Sequence, residues 1–239
     1  MAILGFLERL APLLLGAAAL AAQAGPSPRP AAAPVRAHLA IARDVSPKSG
    51  PVCVRLTLES TAGRPLVLPR SAAVVPGFRG TEVPEFPDLV IVPALTDSQG
   101  RPVSRDSRDL LGTRTVVPGD FARLGPSAST VMAWDLTRYP WGYSFPREGR
   151  YTLKLRLYLV LPQWLARERK ERSWLVTPEA LTYLEAHRAE LAGGWVETAP
   201  VAFQICVPGP RTPCLATPPD SQATPCAAGQ PKKPKPKIP

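Results

Sequence analysis

The sequence predicts a mostly β protein built as an antiparallel sandwich, and three observations predict it. Apolar and polar residues alternate with period two in a series of short segments. Turns rich in Gly and Pro separate these segments, with almost no helical pattern between them. Several segments carry one apolar and one polar face, which suits antiparallel sheets wetted on one side.

The elements follow in order. Val35, Ala37, Leu39 and Ile41 alternate with polar or small residues, and Val52 to Leu58 alternates likewise. Leu66-Val67-Leu68 follows the turn Ser60-Thr61-Ala62-Gly63. Leu89 to Val92 is an apolar strand, and Asp97-Ser98-Gln99-Gly100 is a type I turn sequence with Asp first and Gly last. Phe121 to Leu124 leads into Gly125-Pro126-Ser127, and Thr130 to Leu136 returns with Met132, Trp134 and Leu136 on one face. The strongest element is Tyr151 to Leu161. There Tyr151, Leu153, Leu155, Leu157, Leu159 and Leu161 point one way, and Thr152, Lys154, Arg156, Tyr158 and Val160 the other. Val201 to Val207 is the last strand. Short strands with turn signals at these intervals read as an immunoglobulin-like sandwich over residues 35–207. That length is enough to bury a real core.

Residues 162–195 break the pattern and read as a helical insertion. Thr177 caps a helix whose first residue is Pro178, with Glu179 in the first turn. Leu181, Leu184 and Leu191 fall on one face, and Gly193-Gly194 stops the helix. Upstream, Trp164 and Leu165 precede Arg167-Glu168-Arg169-Lys170-Glu171-Arg172, which leads to Trp174 and Leu175. Two readings stay open. The insertion is a lid that packs its apolar stripe on the sandwich. Or Trp164, Arg167, Arg169, Lys170, Arg172 and Trp174 form a recognition element for a partner or membrane surface. Five bases balance five acids over residues 162–196, so attraction to a membrane is weak.

The chain ends carry the compartment signals. Leu10 to Ala22 is an apolar run behind Arg9, followed by the small-x-small site Ala22-Gln23-Ala24. Residues 1–24 are therefore expected to be a secretory signal peptide, and the product to be exported, periplasmic or secreted. The run falls short of the ~20 apolar residues of a membrane span, and no other candidate span follows cleavage. Residues 25–34 form a Pro/Ala-rich linker. Residues 208–239 are a low-complexity tail, expected to be extended and disordered. With no Asn in the sequence, no Asn-linked glycan is possible.

Export makes the four cysteines, Cys53, Cys206, Cys214 and Cys226, candidates for disulfides. Cys53 and Cys206 lie on the faces opposite their strands' apolar residues, which argues against a bridge through the core. A bridge between neighbouring strands or a tie from the tail to the sheet is allowed. The favoured pairing is Cys53–Cys206 with Cys214–Cys226. Zinc is a poor alternative, because the spacings are wrong and His38 and His187 are the only histidines.

The order Leu58-Glu59-Ser60-Thr61, Arg64-Pro65-Leu66, Asp97-Ser98-Gln99-Gly100-Arg101-Pro102-Val103, Phe121 to Trp134 and Glu148-Gly149-Arg150-Tyr151-Thr152-Leu153 resembles one family. It is similar to bacterial Ig-like domains of the BsuPI type of proteinase inhibitor, over roughly residues 50–160. The resemblance implies the sandwich fold and hints at inhibition of a secreted or periplasmic protease. It assigns no functional residue, since no inhibitory loop is identifiable. The insertion, the cysteines and the basic tail depart from the family pattern. Fold alone does not give function.

No motif points to catalysis. Neither histidine stands near a nucleophile motif, and there is no phosphate-binding loop or metal cluster, so no catalytic residue, metal or cofactor is expected. A carboxylate pair using Asp88 or Asp135 would leave no local trace. Two surfaces suit binding instead. Tyr139, Trp141, Tyr143 and Phe145 lie in a turn-rich loop, where flat rings suit a sugar or a protein hot spot, and Trp141 is the first to test. Lys232, Lys233, Lys235 and Lys237 sit among prolines in the tail of a chain whose formal charge is +10. They suit an anionic polymer or lipid surface. Export and the lack of a motif argue against nucleic acid. The expected function is a non-enzymatic binding or adaptor module of the cell envelope. A protease inhibitor is the alternative, followed by a sugar-binding or carbohydrate-active domain.

Overall fold

The computed structural model describes residues 31–48, 50–105, 114–138, 140–171, 173–207 and 226. Strands stand where alternation places them: β1 (Val35–Ile41), β3 (Cys53–Ser60), β4 (Leu66–Pro69), β6 (Leu89–Asp97), β7 (Phe121–Leu124), β8 (Ser129–Asp135), β9 (Gly149–Val160) and β11 (Val201–Cys206). Three further strands are too short or too glycine-rich to show a period: β2 (Val45–Pro47), β5 (Ala72–Val74) and β10 (Gly193–Glu197).

One sheet runs β1-β3-β8 and the larger one runs β2-β11-β9-β6-β5. β10 also pairs with β9, end to end with β11 along the same edge. Thr198 fills the break between them. Its amide donates to the Leu155 carbonyl (2.9 Å), and its hydroxyl accepts from the Leu155 amide (3.0 Å). β4 and β7 form a small third sheet. The fold is a β-sandwich, but its ladders are not all antiparallel. β2 on β11 and β5 on β6 are parallel, both of them three-residue strands at sheet edges.

The core forms where the apolar faces meet. Leu153, Leu155 and Leu157 of β9 have no exposed surface, nor does Leu56 of β3. Burial of each such side chain stabilises the fold by about 1.5–3 kcal/mol. The reverse face of β9 divides. Tyr158 and Val160 pack with Phe78 and Val90, while Lys154 and Arg156 stay wet and bind Glu197 of β10.

The insertion consists of α1 (Leu161–Glu171), α2 (Pro178–Ala186) and a 3-10 turn (Arg188–Glu190). Thr177 caps α2 as its sequence predicts, its hydroxyl accepting from the Ala180 amide (3.2 Å). Leu161, Trp164, Leu165, Ala180, Leu184 and Leu191 pack on Val67 and Phe121 of the small sheet, which is the arrangement of a lid. Gly193 and Gly194 do not stop a helix, which corrects the sequence expectation; they open β10. A Cβ on Gly194, at φ +104°, would overlap the Ala31 carbonyl. Glycine is there so that residues 31–33 can lie against β10. Trp195 donates to the Ala31 carbonyl (3.0 Å) and Ala33 to the Trp195 carbonyl (2.8 Å). The end of the Pro/Ala segment thus belongs to the fold.

The favoured disulfide pairing is also corrected. Cys53 bonds Cys226, with Cα atoms 5.5 Å apart, and Cys206 is bonded elsewhere. Cys53 lies on the face of β3 opposite Val54 and Leu56, and Cys226 meets it there. Residues 1–30 and Cys214 lie outside the described residues.

Candidate functional site

The connection from β8 to β9 is built from the inside out. Asp135 at the end of β8 knots its start, its Oδ1 accepting from the amides of Val52 (3.1 Å) and Thr137 (3.0 Å) and from the Thr137 hydroxyl (2.8 Å). Tyr143 donates to the Leu136 carbonyl (2.8 Å), closing the loop on itself. The Arg105 guanidinium then staples it. Nε donates to the Trp141 carbonyl (2.9 Å), Nη2 to that of Pro140 (2.6 Å) and Nη1 to that of Val74 on β5 (3.3 Å). The Tyr151 hydroxyl donates to the Arg147 carbonyl (2.6 Å) at the far end.

The aromatic side chains of this loop face inward. Trp141 has no exposed surface and packs on Trp134, with ring centroids 5.5 Å apart. Phe145 meets Tyr151 and Phe203 edge to face at 5.1 and 5.7 Å. Tyr143 is buried too, and burial pushes its phenol up to about 12, against the opposing effect of Arg105. These rings do not offer the flat exposed surface expected of them; their faces supply core area at the end of the sandwich. Tyr139 lies outside the described residues.

What the loop does present is its other parity. Ser144 and Pro146 alternate with the buried Tyr143 and Phe145 and point outward. They form a ridge between two clefts. One, of about 580 Å³, also touches Lys48, Gly50 and Thr137. The other, of about 450 Å³, touches Arg101, Pro102, Val103, Ser104 and Arg147. Arg101 is engaged by Asp97 (2.7 Å), whose carboxyl its side-chain hydrogen bond holds below the usual range. Lys48 and Arg147 are exposed and have no ion-pair partner among the described residues. Both clefts thus offer hydroxyls, prolines and a cation around a rigid backbone. This is a set for binding. Ser144 and Pro146 were readable only through the period-two alternation of residues 143–146, which marks an inside and an outside, and nothing in the sequence marks Lys48 or Arg147 as their neighbours.

The other candidate residues are scattered. Trp164 is fully buried, its Nε1 donating to the Glu85 carbonyl (2.9 Å). Arg167 donates to the carbonyls of Val83 and Glu85 (3.0 Å each), so both residues pin the segment before β6. Arg169 pairs with Glu185 of α2 (3.1 Å), Lys170 is exposed, and Trp174 is 83% exposed in the turn between the helices. Arg172 and the tail lysines Lys232, Lys233, Lys235 and Lys237 lie outside the described residues. The insertion therefore does not gather its tryptophans and bases on one surface.

Asp135, Asp88 and the two histidines have the following partners. Asp135 caps backbone, and Asp88 accepts from Ser71 and from Arg114. His38 stands exposed beside Glu59 (3.9 Å), and His187 contacts the Tyr183 carbonyl (2.9 Å) at the end of α2. Among the described residues no His, Cys, Asp and Glu cluster is arranged to hold a metal, and no helix is long and apolar enough to cross a membrane. No protein-family model matches the chain, and no curated protein matches it.

Proposed function

We propose that this chain is an exported, non-enzymatic binding module of the cell envelope, and that its recognition surface is the pair of clefts beside the Ser144–Pro146 ridge. The observation that carries the reading is the held loop. A backbone fastened by Asp135, Arg105 and Tyr151 presents two concave surfaces without ordering cost on binding. Loops held on a rigid sandwich end are a common place for recognition. Export rests on the N-terminal sequence pattern and is supported by the Cys53–Cys226 disulfide, which needs an oxidising compartment.

The test is a crosslinked pull-down of the tagged, exported chain from its own envelope, run beside Ser144→Arg. That substitution puts a long side chain into both clefts without touching the core. A partner enriched by the wild type and lost with Ser144→Arg is the expected result. A partner retained by the variant would move recognition elsewhere. The inhibitor reading rests on the family resemblance alone. If the enriched partner is a protease slowed by the chain at stoichiometric amounts, that reading replaces the adaptor one.

A further inference from the structure

The β8 edge of the smaller sheet carries no further strand among the described residues. Among the described residues, β8 pairs only with β3. Hydrogen-bond parity shows which groups remain. Leu136 donates to the Val52 carbonyl and Ser60 to the Ala128 carbonyl, both at 2.9 Å. In an antiparallel ladder, facing residues alternate between exchanging both bonds and exchanging none. Thr130, Met132 and Trp134 therefore turn their amides and carbonyls toward β3. Those of Val131 and Ala133 turn outward, with no partner among the described residues.

Natural edges are blunted by proline, lysine, bulges or shortness. β8 has none of these. It runs seven residues without proline or base, and its register with β3 continues unbroken from Asp135 to Ser129. Val131, at 44% exposure, is an apolar side chain left in water at its middle. The outer strands of the larger sheet differ: β5 and β2 have three residues each, Arg105 occupies the Val74 carbonyl of β5, and β2 ends in Pro47.

The strand is also complementary to itself. A two-fold axis through Met132 lays β8 antiparallel on a second β8. Val131 then faces Ala133, and Ser129 faces Asp135. All four are outward-turned positions, so the two central pairs alone exchange about four backbone hydrogen bonds. Across the joined sheet one row reads Thr57, Val131, Ala133, Arg55, and the next reads Glu59, Ser129, Asp135, Cys53. No like charges meet on neighbouring strands, and Asp135 meets a hydroxyl. We propose that the chain pairs with a second copy of itself through β8, joining two three-stranded sheets into one continuous antiparallel sheet. Such a contact is isologous and closes after two copies.

Sedimentation of the oxidised, exported chain tests this, with two variants. Ala133→Pro removes an outward amide and leaves the β3 ladder untouched, and Val131→Lys places a charge at the centre of the edge. The wild type is expected to sediment as a dimer and both variants as monomers with the wild-type far-UV circular dichroism. A wild type that stays monomeric up to about 100 µM overturns the proposal, whether the edge is empty or covered by another segment or partner. A dimer that survives Val131→Lys overturns it as well. If Ala133→Pro fails to fold, Val131→Lys decides alone.

Discussion

The segment 136–148 leads into β9 and the segment 161–192 leads out of it, and the two use their tryptophans in opposite ways. Trp141 lies wholly inside, against Trp134, in a loop with no regular structure. Trp174 stands 83% exposed in the turn between two helices. Loop or helix is thus not what decides burial. Trp141 sits within the span of the sandwich, where the two sheets leave an open end to fill. Trp164 shares the helical face of Leu161 and Leu165 and goes in with them. Trp174 comes after the last turn of that helix, out of phase with it.

The sharpest break of this comparison is Trp141→Ala, expected to destabilise the fold by about 3–5 kcal/mol in chemical denaturation. A loss below about 1 kcal/mol would mean that the loop packs loosely and that its rings can turn out. Gly194→Ala comes next, at about 2–3 kcal/mol, because both the φ of +104° and the Ala31 carbonyl oppose a Cβ. Tolerance of alanine there would detach residues 31–33 from β10. A smaller effect is confined to alkaline pH. The Tyr143 pKa is raised in the folded chain to about 12, so the folded state holds its proton more tightly. That stability is complete below the unfolded value of about 10 and is lost as pH rises through about 12. Tyr143→Phe should flatten the fall in melting temperature across that window, and an unchanged slope would place the phenol in water. Trp174→Ala is expected to change stability by less than about 0.5 kcal/mol, and a larger loss would make the turn part of the core.

The strands were readable because burial on one face imposes a period of two. From Tyr151 to Leu157 β9 buries every second residue, whereas beyond it Tyr158 and Val160 are buried as well and Leu161, expected to end the strand, opens α1. β2 and β5 escape because three residues carry no period, and parallel pairing leaves no mark on alternation. β10 begins Gly-Gly, and the need for the second, Gly194, comes from residues 31–33, more than 160 positions away, while Gly193 lies against Pro162. The candidate site was half readable. The loop was identifiable from its aromatics, but composition does not say which way a ring points. The alternation of Tyr143, Ser144, Phe145 and Pro146 held that answer in four residues. The outward face of Cys53 excluded a bridge through the core but left both a neighbouring-strand bridge and a tie from the tail open, and the favoured strand pairing with Cys206 gives way to Cys226.

The Cys53–Cys226 bond fixes where the chain's last basic run begins. Lys232 stands six residues beyond Cys226, so covalent reach alone keeps it within about 21 Å of Cys226, whose Cα is 5.5 Å from that of Cys53 on β3. Hung instead from Val207, after β11, the same lysine could range up to about 90 Å away. Oxidation therefore acts as a leash. With the bond closed, six residues separate Lys232 from the cysteine tied to the β1-β3-β8 sheet, and with it reduced, 25 residues separate it from Val207, without altering a single residue of the sandwich.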